Sequence, residues 1–98
     1  MAITVVTRIK GNQDQALPIA REIAALLKAH GATAVRWGLC HSGPYAGQIF
    51  AATIYPDGAT YGGALQALSE DAQFQQLIAE ASKITELQDR SVFVTQDL

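Results

Sequence analysis

Apolar and polar positions alternate from the start of the chain. Ile3, Val5, Thr7 and Ile9 fall on one face, and Thr4, Val6, Arg8 and Lys10 on the other, which is the period of a β-strand. Gly11-Asn12 punctuates its end. The spacing then lengthens. Ile19, Ile23, Leu26 and Leu27 recur at helical intervals with Ala20 and Ala24 beside them, which predicts a helix to about His30 with this stripe as its core face. Asn12 or Asp14 is placed to cap its start, and Gly31 to follow its end. Pro18 fits near the first turn and is costly deeper inside. Ala34–His41 reads as a second strand and Gln48–Tyr55 as a third, joined through the turn residues Ser42-Gly43-Pro44-Tyr45-Ala46-Gly47. Asp57, after Pro56, caps a helix carrying Tyr61, Ala64, Leu65 and Leu68. Ser69-Glu70-Asp71 breaks it and caps a further segment with Phe74, Leu77, Ile78 and Ala81. A last strand runs from about Leu87 to Thr95.

Strand, helix, strand, strand, helical region, strand is the split β-α-β order of a ferredoxin-like α+β domain with an antiparallel four-stranded sheet. Right-handed crossovers put its helices on one side of the sheet. The other side is too apolar to be left to water. The third strand carries Phe50, Ala52 and Ile54 on one face and Ile49, Ala51 and Tyr55 on the other, and the second places Val35, Trp37 and Leu39 together. An uncovered patch of that kind is rare on a monomer, so a homodimer formed sheet to sheet is expected. If Ser42 pairs with Gln48 around the Gly43–Gly47 loop, then His41 lies opposite Ile49, Leu39 opposite Ala51, Trp37 opposite Thr53 and Val35 opposite Tyr55. Trp37, His41 and Tyr55 then share a face, and a one-residue slip separates them.

Composition narrows the picture. Ninety-eight residues suggest a single domain over 1–98. Hydrophobic residues make up 49% and charged residues 16%, little charge for a small monomer and consistent with an interface between subunits. Seven basic and nine acidic residues are spread along the chain, for a net charge of −2. Without a Lys/Arg cluster, no nucleic-acid partner is expected. The apolar runs are short and interrupted, so no membrane partner is expected either. The first residues enter a strand without a basic, signal-like start, and the expected location is cytoplasmic. Cys40 is the only cysteine and forms no internal disulfide. With His30 and His41 it makes a poor zinc set, so neither a metal nor a cofactor is expected.

The Ile3–Ile9 strand, the Gly43-Pro44-Tyr45-Ala46-Gly47 turn after Ala34–His41, the stretch Tyr55-Pro56-Asp57-Gly58-Ala59-Thr60-Tyr61-Gly62 and the later Ser69-Glu70-Asp71-Ala72-Gln73-Phe74 together resemble the dimeric α+β barrel superfamily. The similarity is to small proteins near its NIPSNAP-like and antibiotic-biosynthesis-monooxygenase-like branches, and it covers nearly the whole chain. It implies a homodimer with a small-molecule cavity. It also implies cofactor-independent monooxygenase-like chemistry on an aromatic or polyketide-like substrate, with a non-catalytic metabolite-binding or structural dimer as the alternative. The superfamily spans many activities, so the likeness does not choose between them. The chain departs from the haem-degrading branch, which uses an Asn on the first strand and a later His. Here that strand has Val6, Thr7 and Arg8, and no His follows His41. The quinone-forming branch uses Asn, Trp, Tyr and Arg. Trp37, Tyr55 and Arg8 match three of those types, while the only Asn, Asn12, sits in a turn.

Four residues carry the expected site. His41 is the candidate general acid/base, since histidine titrates near neutral pH; the plainer reading, a solvated loop histidine, is favoured about two to one. Trp37 is a candidate to stack a flat ligand and equally a candidate anchor of the dimer core. Tyr55 joins it on the cavity wall. Arg8, facing an enclosed space, holds a carboxylate or enolate oxygen; on a rim it is merely solvated or paired, which is the favoured reading of Arg36. His30 suits a helix C-terminus, Cys40 is a small buried residue, Tyr45 an interface contact and Asp57 a helix cap. Tyr61-Gly62-Gly63 lacks the spacing and lysine of a phosphate loop.

Overall fold

The computed structural model describes residues 1–98. Seven elements follow in the expected order: β1 (Ala2–Gly11), α1 (Gln13–Ala29), β2 (Ala34–Leu39), β3 (Ile49–Tyr55), α2 (Gly58–Ser69), α3 (Ala72–Ile84) and β4 (Thr85–Thr95). The strands form one sheet in the order β2-β3-β1-β4, every neighbouring pair antiparallel. This is the ferredoxin-like α+β fold. Its extents of 37 × 33 × 17 Å are those of two layers, a sheet and a cover of helices.

Each helix starts where a side-chain oxygen replaces a missing backbone partner. Asn12 Oδ1 accepts from the Gln15 amide at 3.0 Å, Asp57 Oδ1 from Thr60 at 2.7 Å and Asp71 Oδ1 from Phe74 at 2.9 Å. Gly31, just past the α1 cap at His30, takes φ +103, and a Cβ there would meet Thr60 Cγ2 at 2.5 Å. Only glycine lets the end of α1 pass so close to the start of α2. Pro18 lies inside α1, a turn deeper than expected, where it leaves the Asp14 carbonyl without an intrahelical donor.

The Asp57 cap makes one prediction. The amide bond from Thr60 holds the Asp57 carboxyl below its ordinary value of 3.8. A carboxyl whose folded pKa is depressed stabilises the fold above its unfolded pKa, and that contribution is lost as pH falls through the folded value. Asp57→Asn keeps a capping oxygen that does not titrate. Calorimetric melting temperatures from about pH 5 to about pH 2.5 should therefore fall more steeply for wild type than for Asp57→Asn. Parallel slopes would show that the ionised carboxylate contributes nothing to the cap.

Pairing assigns every strand residue to a face. On the helix side lie Ile3, Val5, Thr7 and Ile9 of β1 with Tyr55, Thr53, Ala51 and Ile49 of β3 and Val35, Trp37 and Leu39 of β2. On the outer side lie Thr4, Val6 and Arg8 with Ile54, Ala52 and Phe50, and Phe93, Ser91 and Asp89 of β4. The register of β4 shifts between Arg8 and Ile9, so Leu87 and Asp89 face consecutive β1 residues and Gln88 is extra. This β-bulge reverses the alternation of the strand.

One buried cluster, Ile3, Ala32, Tyr55, Ala64 and Leu68, sits at one end of the sheet. Ile49, at 0% exposure the most deeply buried side chain, lies at the other end of β3, and Leu77 is buried on α3. Only 9 of 98 residues are buried in the single chain, so most apolar side chains have cover on one side only. The α1 stripe shows this. Leu26 and Leu27 pack against the buried cluster as expected, whereas Ile19 and Ile23 face open space between the helices and the sheet. No helix is long and apolar enough to cross a membrane.

Candidate functional site

That open space is a hollow of about 860 Å³, floored by the helix-facing side of the sheet and walled by all three helices. Its lining is chiefly apolar, 21 of 31 residues, which suits a ligand that leaves water for hydrocarbon. Val5, Thr7 and Thr53 form the floor, and Ile23, Phe74 and Ile78 belong to the helical wall.

The structure brings together some of the expected site residues and separates others. Trp37 and Tyr55 both line the hollow. Arg8 and His41 do not. Arg8 alternates onto the outer face of β1, where it donates to Gln48 Oε1 at 2.7 Å, pairs with Asp89 and lies 3.9 Å over the Tyr45 ring. Hydrogen bonding to Asp89 raises its pKa further. His41 lies beyond the end of β2 on an exposed loop.

The hairpin register explains His41. Leu39 pairs with Ile49, Trp37 with Ala51 and Val35 with Thr53, each displaced by two residues from the expected pairing. The Cys40 amide donates to the Gln48 carbonyl at 2.8 Å, and that of Gly47 to the Cys40 carbonyl at 2.9 Å. The loop therefore closes before His41, turning through the positive φ of Gly43 and Gly47. A shift of two keeps every side chain on its face, so Trp37 and Tyr55 still share one. They do not share a neighbourhood. Ala51, opposite Trp37, is four residues from Tyr55, roughly 14 Å along an extended strand.

The two ends of the hollow differ chemically. At one end Tyr55 is 3% exposed and its ring lies 5.4 Å from that of Tyr61. Burial, and then Tyr61, raise the Tyr55 pKa above its ordinary 10.0, so at neutral pH it is a phenol that can donate a hydrogen bond and not a base. At the other end the indole Nε1 of Trp37 is buried with no hydrogen-bond partner. An unmatched buried donor costs about 1–3 kcal/mol. Gln13 Oε1, at the start of α1, is also buried and unmatched; nothing nearby explains it.

Arg90, which sequence periodicity does not single out, also lines the hollow. Its Nε donates to Thr7 Oγ1 at 3.1 Å. The signal that hides it is the β4 bulge. Counting alternately from Leu87 puts Asp89 inside and Arg90 outside, whereas the extra Gln88 sends Asp89 to Arg8 on the outer face and Arg90 inward.

The family model described as Domain of unknown function (DUF6854) matches residues 1–95. The chain belongs to that family. No curated protein matches it. Among solved structures, SnoaB, a cofactor-independent oxygenase from Streptomyces nogalater, has a TM-score of 0.77 at 12% identity, covering 99% of this chain and 95% of that one. A putative antibiotic biosynthesis monooxygenase from Chloroflexus aurantiacus gives 0.70 at 13%, covering 99% and 95%. A NIPSNAP family protein from Agrobacterium tumefaciens gives 0.66 at 21%, covering 97% and 94%. At these identities the likeness establishes the fold alone, the ferredoxin-like α+β fold described above.

Proposed function

We propose that the protein is a homodimer joined through its outer sheet faces, and that each subunit holds a flat, largely apolar, aromatic or polyketide-like molecule between sheet and helices. The observation that carries this is the chiefly apolar hollow of about 860 Å³ between sheet and helices, with Trp37 and Tyr55 on its walls. A cavity that size suits a drug-sized ligand. Pairing of the outer faces covers Val6, Phe50, Ala52, Ile54 and Phe93, which one sheet cannot cover alone.

Native mass spectrometry of freshly purified protein tests both halves. The expected result is a dimer that carries a reproducible extra mass, lost on denaturation. Trp37, the only tryptophan, reports the site directly, and its fluorescence should change as an added hydroxyanthrone saturates the hollow. A monomer at micromolar concentration overturns the assembly. Unchanged fluorescence with millimolar hydroxyanthrone overturns the site.

A second reading, cofactor-independent oxygenation, is supported by the likeness to SnoaB, described as a cofactor-independent oxygenase. In such a reaction an enolate carbon gives its electrons to dioxygen. A ring CH2 becomes C=O, and the two hydrogens leave with the second oxygen atom as water. The hollow's contribution would be apolar contact with the Trp37 and Tyr55 rings and exclusion of water from the enolate. Oxygen uptake with a hydroxyanthrone at or below the rate in buffer would leave the protein as a binding dimer.

A further inference from the structure

We infer that the ligand of the hollow is an anion, an aromatic or polyketide carboxylate or enolate, with its charge held by Arg90 and its far edge against Trp37. This rests on the binding role proposed above and names the class of molecule bound.

The geometry is a single rung across the sheet. Trp37 of β2 pairs with Ala51 of β3, Ala51 with Thr7 of β1, and Thr7 with Arg90 of β4. All four line the hollow. Three inter-strand steps of about 4.8 Å put the Cα atoms of Trp37 and Arg90 roughly 14 Å apart. Between them stand only a methyl group and a threonine, so the floor is low between two tall walls. The bond from Arg90 Nε to Thr7 Oγ1 turns the guanidinium over β1, towards the tryptophan. Its two terminal nitrogens have no acceptor in the chain, whose single salt bridge is Arg8–Asp89. A guanidinium fork fixed at Nε and open at both ends is the geometry that takes a carboxylate in two parallel hydrogen bonds. The rung therefore has an indole wall at one end and a partly free guanidinium fork at the other.

Charge points the same way. The charged residues lining the hollow, apart from Arg36, whose rung with Ala52 and Val6 faces the outer side, are Arg21, Lys28 and Arg90, all basic. None of the nine acidic residues lines it, although acids outnumber bases in the chain. The bulge at Gln88 takes part in this sorting, because it sends Asp89 out and Arg90 in. Without it a carboxylate would stand on the floor of the hollow and repel an anion.

The test compares 2-naphthoate with neutral 2-naphthamide, by calorimetry on the intact dimer and by Trp37 fluorescence. Naphthoate is expected to bind at least about ten-fold more tightly, since hydrogen bonds to charged groups contribute more than neutral ones. In Arg90→Gln the preference should collapse to about two-fold or less, through loss of naphthoate affinity. In Lys83→Gln, the same loss of charge on α3 away from the hollow, it should persist. Equal affinities in wild type overturn the charge assignment and leave the binding role standing. A preference that survives Arg90→Gln overturns the role of Arg90. Binding of neither probe at millimolar concentration removes the aromatic site and both readings with it.

Discussion

With the outer sheet faces paired as proposed, Val6→Asp is expected to leave the protein monomeric at micromolar concentration, with a dimer dissociation constant raised by about 10³-fold or more. Val6 stands on the outer face of β1, a central strand, with Ala52 and Ser91 beside it on the same rung and the rung of Ile54, Thr4 and Phe93 next along. In a two-fold interface the substitution places two carboxylates between the sheets. Each loses water without gaining a partner, at an effective cost of several kcal/mol. Even about 4 kcal/mol for the pair amounts to roughly 10³ in affinity. Val6→Thr keeps the β-branched shape and should cost far less than Val6→Asp. Sedimentation velocity across a dilution series reads the difference. A Val6→Asp protein that sediments as the wild-type dimer would show that the outer sheet faces do not meet. The far-ultraviolet circular dichroism of the variant should stay native, because Val6 faces away from the helices and from the buried cluster.

The elements of this fold are largely legible in the sequence because each is specified locally. Strict alternation over Ile3–Ile9 leaves no alternative to a strand. Asn12, Asp57 and Asp71 each stand where a helix needs an acceptor, and Glu70-Asp71 separates two helices whose apolar residues do not continue in phase. What is hidden depends on distances between elements or on a single inserted residue. The β2–β3 hairpin holds glycines at 43 and 47 and can close around either of two loops. The physical choice, the Cys40–Gln48 pairing, moves His41 off the strand. The Ile19, Ile23 and Leu27 stripe shows that α1 has an apolar face, but periodicity cannot tell whether that face touches the sheet or stands away from it. Arg8 follows from alternation alone: it shares the outer face with Val6 and cannot join Trp37. Arg90 is hidden for the opposite reason, since one extra residue in β4 reverses the alternation that sequence reading relies on. Trp37 and Tyr55 were visible because an even register error leaves faces unchanged.

Leu68→Ala is expected to be strongly destabilising, because Leu68 belongs to the buried cluster on which α2 is anchored. Leu68 is 5% exposed and packs with Ile3, Ala32, Tyr55 and Ala64 at the end of the sheet where α2 meets β1 and β3. Removing its isobutyl group loses apolar burial and leaves a void that the neighbouring strands, held by their hydrogen bonds, cannot close. Truncations of this kind cost about 2–5 kcal/mol, a large share of the about 5–15 kcal/mol that holds a native domain. For a chain of this size about 3 kcal/mol lowers the melting temperature by roughly 12–24 °C. Leu65 lies on the same helix and is 53% exposed. The identical chemical change there, Leu65→Ala, should cost about 0.5 kcal/mol or less. Differential scanning calorimetry of the two variants therefore separates an α2 packed through Leu68 alone from one packed along its length. Comparable losses from both would mean that α2 closes on the sheet in solution and fills the hollow with its own side chains. A large loss from Leu68→Ala alone fits a helix anchored through Leu68 that leaves Leu65 beside an open hollow.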